Sequence, residues 1–354
     1  VMNESFTDLS CFEQLQAAGY FGPTFYNSLP DTLVRGTMLA SVAGGGTANS
    51  EFEFLTGATT AFVGVGKIPY QLYQMSDVDS LAKDLEELGY TATAMHPQNP
   101  VNYHRDKIYQ QLGFGDFLSI DDFEGAPYYH YGVCDYVTYD KILELLRTNE
   151  APHFIFDVTM QNHGGYEVGS VPAEELTNYW VDGASEGTNA MLNTYLTCIN
   201  ASDRDLEYFI NELRNIGRPV VLVFFGDHQP SIAAALNDEL YPQEDTASHA
   251  FRIHQSTYFV WANYEIAGNI ELNVYDTVGA NEIAAMTLNK IGAPLTDYQK
   301  ALLATRSDVP TINVAGYLGA DGLRYDLESE DSPYTSTIDK LRRVQYLEFA
   351  TKVQ

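Results

Sequence analysis

Residues 219–225, PVVLVFF, are the clearest strand in the chain, and they stop abruptly at Gly226-Asp227-His228. A run this apolar has no polar side to turn to water, so it belongs inside a sheet covered on both faces. Other apolar runs alternate with helical patterns, which predicts a mostly parallel sheet sandwiched by helices, an α/β fold. Residues 78–88 predict a helix ending at Gly89, 90–95 a strand, 139–148 a helix and 153–159 a buried strand. A long helical region is expected from Thr188 to Asn215, with a break near Ser202, and a further strand over 257–262. Past residue 266 the pattern weakens. The expected division is a catalytic domain over 1–265 and a smaller C-terminal α+β subdomain over 266–354.

In open α/β sheets, ligands bind beyond the carboxyl ends of the strands. Glu4 follows the first apolar segment, His96 follows YTATAM, Gln161-Asn162-His163 follow HFIFDVT, and Asp227-His228 follow PVVLVFF. Parallel topology brings such ends together however far apart they lie in the chain. Asp227-His228 with Glu4 offers two carboxylates and an imidazole, a donor set that suits zinc or manganese. The plainer alternative makes Asp227 a cap for the following turn.

The stretch GGGTANSEFEFLTG, residues 44–57, places Thr47 after three glycines and before a helix in which Asn49 and Ser50 are cap-like and Glu51 comes early. A hydroxyl there sits at the positive end of a helix dipole, beside free N–H groups. Threonine is a poor nucleophile unaided, so its catalytic reading depends on a nearby cation. His163 lies in a polar, glycine-rich loop suited to holding a phosphoryl oxygen or passing a proton. Arg105 is one of few basic residues, suited to clamping a phosphate or to pairing with Asp106 or another surface acid. Tyr103, two residues earlier, either lines a pocket or packs.

Of 354 residues, 45% are hydrophobic, enough to bury a core, while 48 acidic against 19 basic residues give a formal charge of −29. Such a surface repels nucleic acid. A phosphate substrate must be met locally, by a metal and a few chosen cations. The three cysteines, Cys11, Cys134 and Cys198, form neither a zinc pattern nor a disulfide framework. No membrane span or signal peptide is visible. Val1-Met2-Asn3 reads as the end of a strand whose beginning is missing, so an excised domain is expected.

Taken in order, NESF, GGGTANSEFEFLTG, NYHRDKIYQQLGF, VTMQNHGGY and FFGDHQP resemble the lipoteichoic acid synthase group. These are phosphoglycerol transferases within the alkaline phosphatase and sulfatase superfamily. The resemblance runs from Glu4 to about Ala262, with a weaker echo beyond. It implies an alkaline phosphatase-like fold and one divalent cation, usually manganese, held by Glu4, Thr47, Asp227 and His228; magnesium and zinc fit the same donors. It implies Thr47 as nucleophile, and Arg105, His163 and the aromatic Tyr103 as contacts for a glycerol phosphate head group. Tyr103 stands where the group has tryptophan. The implied donor is phosphatidylglycerol or a similar glycerophospholipid, and the implied acceptor a glycolipid or a glycerol phosphate polymer. Members of the group are membrane-anchored, with this domain on the extracellular face.

Sulfatases proper carry a cysteine or serine in C-x-P-x-R, which this chain lacks, and that argues against sulfate ester hydrolysis. A phosphodiesterase or phosphatase using water as acceptor, a phosphoethanolamine transferase and a non-catalytic glycerophosphate-binding protein stand as alternatives.

Overall fold

The computed structural model describes residues 1–268 and 271–353. Strands are β1 Met2–Asn3, β2 Thr32–Leu39, β3 Thr91–Met95, β4 Asp116–Leu118, β5 His153–Asp157, β6 Val221–Gly226, β7 Gln255–Ala262 and β8 Val274–Gly279. Two ladders, β4-β3-β5 and β1-β6-β7-β2-β8, meet at a parallel bridge between Met2 and Val158. A hydrogen bond from the Thr159 N–H to the Met2 carbonyl, 3.1 Å, closes the seam. Every pairing in these ladders is parallel except those of β7, which is antiparallel to both β6 and β2. The sheet is therefore mixed, and the 257–262 segment is its reversed strand.

Side-chain alternation divides the core between the two faces. Phe225 packs into one apolar cluster while its neighbour Phe224 packs into the other; Val260 and Trp261 divide in the same way. The first cluster is roofed by α1 Thr47–Thr56, α2 Leu81–Glu87, α3 Arg105–Gln111 and α6 Ile283–Lys290. The second is covered by α4 Asp135–Thr148 and α5 Glu186–Arg214.

Helix α5 runs without interruption through Ser202, where a break was expected. Ser202 stays helical because its hydroxyl turns into the core and donates to Asp135, so it does not compete with the helix backbone. At α1, Asn49 and Ser50 are not caps. The helix begins at Thr47 behind Gly46, which holds φ 92°. A Cβ on Gly46 would lie 2.9 Å from Val42 Cγ1, so both backbone angle and space demand glycine.

Strand β8 lies beyond the division expected after residue 265, yet it extends the main sheet in parallel register with β2. A separate antiparallel sheet, β9 Thr311–Asn313, β10 Gly316–Leu318 and β11 Arg324–Tyr325, packs with α7 Thr335–Gln345 around its own apolar cluster.

Between these parts lies Glu282, buried, its carboxylate accepting from the Gly279 N–H at 2.8 Å and lying 3.6 Å from Arg306 Nε. Burial pushes this carboxyl up to about 7, against the opposing charge of Arg306. A carboxyl raised on folding contributes stability that is full at acid pH and is lost as pH rises through the folded value. The melting temperature is therefore expected to fall between pH 5 and pH 8, and Glu282→Gln to flatten that slope in a thermal melt followed across pH.

Candidate metal and nucleophile site

The carboxyl ends of β1, β5 and β6 converge on one buried cluster. Glu4, Asp227 and His228 each present a ligand atom, all within 4.8 Å of one another, and all three residues are buried. Gly226 makes the convergence possible: a Cβ there would fall 1.7 Å from the Phe6 carbonyl oxygen, where the chain leaving β1 crosses the end of β6. Ser5 turns the chain at φ 51°, a left-handed backbone uncommon for serine. Its N–H donates to Asp227 Oδ1 at 2.8 Å and its hydroxyl donates to Glu4 Oε1 at 2.8 Å.

These bonds also orient the ligands. The His228 N–H donates to Asp227 Oδ1 at 2.9 Å, leaving Asp227 Oδ2 without a hydrogen-bond partner among the described residues. His228 Nδ1 lies 2.9 Å from the Gln229 carbonyl, which accepts only, so Nδ1 carries the proton and Nε2 keeps its lone pair. Nε2 is buried, has no hydrogen-bond partner among the described residues, and lies 3.0 Å from Asp227 Oδ2. Two buried acceptors facing each other at this distance are costly unless a proton or a cation lies between them. Burial first, then the charge of Glu4, push the Asp227 carboxyl up to about 6, while His228, the Ser5 N–H and the Thr47 hydroxyl oppose the shift. Burial alone would lower the His228 imidazole; Asp227 and Glu4 outweigh it and raise it. The donor set, two carboxylates and one imidazole, fits manganese, zinc or magnesium. His228→Ala is expected to weaken manganese binding by about 10-fold or more, measured by isothermal titration at fixed pH.

Thr47, the first residue of α1, is buried, and its hydroxyl is the least of the groups that oppose the rise of the Asp227 carboxyl. Two contacts hold the helix end there. The Ser50 hydroxyl donates to the Asp227 carbonyl at 2.6 Å, and the Gly44 N–H donates to the Gln229 carbonyl at 2.9 Å. The three-glycine loop and the Asp-His turn are thus clamped face to face.

Arg105 pairs with neither Asp106 nor a surface acid. It is buried, and its Nε and Nη2 donate to Glu51 Oε1 at 3.0 Å and 2.5 Å. The Tyr109 hydroxyl donates to Glu51 Oε2 at 2.7 Å. Nη1 has one long contact, 3.5 Å, to the Asn102 carbonyl. The guanidinium lies 5.0 Å from the centre of the Tyr103 ring, a cation–π contact. Tyr103 and His104 are consecutive left-handed residues, φ 55° and 61°; burial raises the Tyr103 hydroxyl, Arg105 opposes the shift, and the charges of Glu51, Glu4 and Asp227 add to it. His163 is exposed on its loop. It and Arg105 both help depress His96, whose imidazole is held well below its ordinary value mainly by burial. His96 Nδ1 lies 2.9 Å from the Val158 carbonyl, which fixes the ring at the mouth of β3.

Glu51 is the partner of Arg105 that sequence reasoning missed. It sits four residues after Thr47, one helical turn on, and an acid among Phe52, Phe54 and Leu55 is the signal that marks it. Behind the site, Asn162 Nδ2 donates to Asn3 Oδ1 at 3.0 Å and to the Ser202 hydroxyl at 2.8 Å. Asn3 Nδ2 donates to Asp135 Oδ2 at 2.7 Å. Gln161 and Asn162 therefore turn inward and tie the His163 loop to the strand that carries Glu4.

A strand-end cluster of metal donors with a hydroxyl on a helix N-terminus defines a class of phosphate and sulfate ester enzymes. A sulfatase family model matches residues 1–285, and the chain belongs to that family. Its fold is alkaline phosphatase-like. The structure of a phosphoglycerol transferase, GacH of Streptococcus pyogenes, superposes with a TM-score of 0.70 at 24% identity, covering 98% of this chain and 84% of that one. The lipoteichoic acid synthase LtaP of Listeria monocytogenes gives 0.66 at 16% identity, covering 99% and 90%. The lipoteichoic acid synthase-like protein YvgJ of Bacillus subtilis is 26% identical over 197 residues, 54% of this chain and 29% of that protein. The chain spans only 41% and 53% of the length of two further curated relatives.

Proposed function

We propose that this chain is a metal-dependent phosphoglycerol transferase, with Thr47 as its nucleophile. The observation that carries the reading is the pair of orphaned acceptors, Asp227 Oδ2 and His228 Nε2, beside a threonine hydroxyl at the start of a helix. A divalent cation held by Glu4, Asp227, His228 and Thr47, manganese in our reading, would supply the positive charge that favours the Thr47 alkoxide.

Thr47 Oγ1 attacks the phosphorus of phosphatidylglycerol or a similar glycerophospholipid. The Oγ1–P bond forms, the P–O bond to diacylglycerol breaks, and protonated His163 delivers a proton to the leaving oxygen. The Thr47 proton passes to solvent and is recovered when Thr47 is released. The free N–H groups of α1 face the phosphoryl oxygens, and Arg105 Nη1, spared by Glu51, meets the head group beside Tyr103. In the second half, neutral His163 takes the proton of an acceptor hydroxyl, which attacks the same phosphorus and frees Thr47. The acceptor is a glycolipid or a glycerol phosphate polymer. The reaction takes place at the extracellular face of a membrane, in a parent protein anchored there; no helix among the described residues is long and apolar enough to cross one.

The test is incubation with phosphatidylglycerol and manganese, with and without a glycerol-type acceptor, followed by mass spectrometry of the products and of the protein. The expected result is acceptor-dependent product together with a glycerophosphoryl adduct on Thr47. Equal diacylglycerol release without acceptor, accompanied by free glycerol phosphate, would make the protein a hydrolase. Absence of both turnover and metal binding would make it a binding protein.

A further inference from the structure

Among the described residues, the hydrogen bonds that hold His163 are all to its backbone. Its N–H donates to the Met160 carbonyl at 3.1 Å, and its carbonyl lies 3.1 Å from His130 Nε2. Where the imidazole points is therefore set by the peptides on either side. On one side those are Gly164 and Gly165, the second at φ 99°, which resist rotation least of all residues. A side chain that must meet a leaving oxygen needs its backbone fixed from elsewhere.

His130 supplies that hold. Tyr128–Tyr129 and Gly132–Val133 pair as an antiparallel hairpin, and His130 turns the chain between them at φ 55°. The hairpin lies flush on the His163 loop: a Cβ on Gly132 would fall 2.1 Å from the Met160 carbonyl oxygen. The His130 ring stacks on Tyr166, centroids 5.6 Å apart and planes 8° from parallel, and the Tyr166 hydroxyl donates to the Asn162 carbonyl at 2.9 Å. His130 Nδ1 lies 2.9 Å from the Ser170 hydroxyl. One imidazole thus touches the loop at residues 163, 166 and 170. Burial pushes it below its ordinary value, so it is neutral near pH 7. The His163 carbonyl accepts only, which places the ring proton on Nε2, where it is donated. The neighbouring bond from the Tyr131 hydroxyl to Glu167 Oε2, 2.9 Å, is exposed to water and holds less.

We propose that His130 is a positioning residue for proton transfer, its Nε2–H holding the His163 peptide so that the His163 imidazole faces the leaving oxygen. The inference rests on the acid role given to His163 above. It separates from a simple brace by chemistry. As diacylglycerol leaves, the electron pair of the breaking P–O bond stays on an alkoxide oxygen, which needs a proton from His163. A p-nitrophenyl ester of glycerol phosphate leaves as nitrophenolate, which needs none. A residue that only braces the loop matters equally for both donors; one that aims the acid matters for the first.

The test compares wild type, His130→Ala, His130→Gln and His163→Ala in the single-turnover first step with manganese, on phosphatidylglycerol and on the p-nitrophenyl donor. His130→Ala is expected to slow diacylglycerol release by about 10-fold with KM little changed, and nitrophenolate release by no more than about 2-fold. His130→Gln should recover most of the loss, since its amide nitrogen stands near where Nε2 was. Both replacements meet the same left-handed backbone, so their difference isolates the hydrogen bond. Amide exchange over 163–167, which needs no turnover, should be about 10-fold faster in His130→Ala and near wild type in His130→Gln. Equal loss on both donors would overturn the proposal, as would unchanged amide exchange. Full activity of His130→Ala beside a slow His163→Ala would overturn the proposal alone. Full activity of His163→Ala on phosphatidylglycerol would remove the acid role itself, and this inference with it.

Discussion

Thr47→Ala is expected to reduce transfer by about 10^4-fold or more while leaving the fold and metal binding largely unchanged. The size follows from the proposed role, in which Thr47 Oγ1 bonds phosphorus; the residual rate is whatever charge and positioning give to direct attack by the acceptor. Stability should hardly move, because Thr47 is the first residue of α1, where alanine is well tolerated, and no side-chain bond of Thr47 holds the helix itself. The measurements are single-turnover rate, melting temperature and the mass of the protein after exposure to donor. Thr47→Ser should keep part of the rate, since it retains the hydroxyl. Transfer by the alanine variant at a rate near wild type would end the covalent reading.

Glu51→Ala should have the largest effect on stability. Arg105 is buried, and Glu51 takes two of its three guanidinium nitrogens as well as the Tyr109 hydroxyl. Removing Glu51 leaves a positive charge enclosed without its partner, a change that typically costs about 3–5 kcal/mol. Chemical denaturation should report that loss. The double variant Glu51→Leu with Arg105→Met should recover most of it, because an apolar pair of similar bulk fits where two ions sat. The same double variant should raise KM for a glycerophosphate donor, and unchanged substrate dependence would remove Arg105 from the head-group contacts. A surface ion pair such as Lys300 with Asp297, 2.9 Å apart but exposed, should show neither effect.

Much of the sheet and of the metal cluster was legible because each rests on local pattern. PVVLVFF can only be a covered strand, and the abrupt change to Gly-Asp-His marks where it ends. The helix expected over 139–148 is the latter part of α4, the strand expected over 90–95 is β3 with one residue more, and the helix expected over 78–88 is α2, which starts three residues later. What failed to show is equally instructive. Strand β7 looks like any other apolar run, and nothing in its residues says that it runs backwards, because direction is set by the connections. Ser202 reads as a helix breaker until Asp135 is placed beside it. β8 reads as part of a weaker tail, since its pattern, half-buried and partly polar, is that of an edge strand. Arg105 reads as a phosphate clamp or as a partner of Asp106 or a surface acid, because Glu51 lies 54 residues away on another helix.

The chain by itself determined which residue types carry chemistry and at which strand ends they stand, because hydrophobic period and glycine placement act over a few residues. Only the tertiary structure decided which acid neutralises Arg105, and which carboxylate oxygen and which imidazole nitrogen are left bare. Those are matters of desolvation and of hydrogen bonds between groups distant in the chain, and they exist only once folding has removed water from around them.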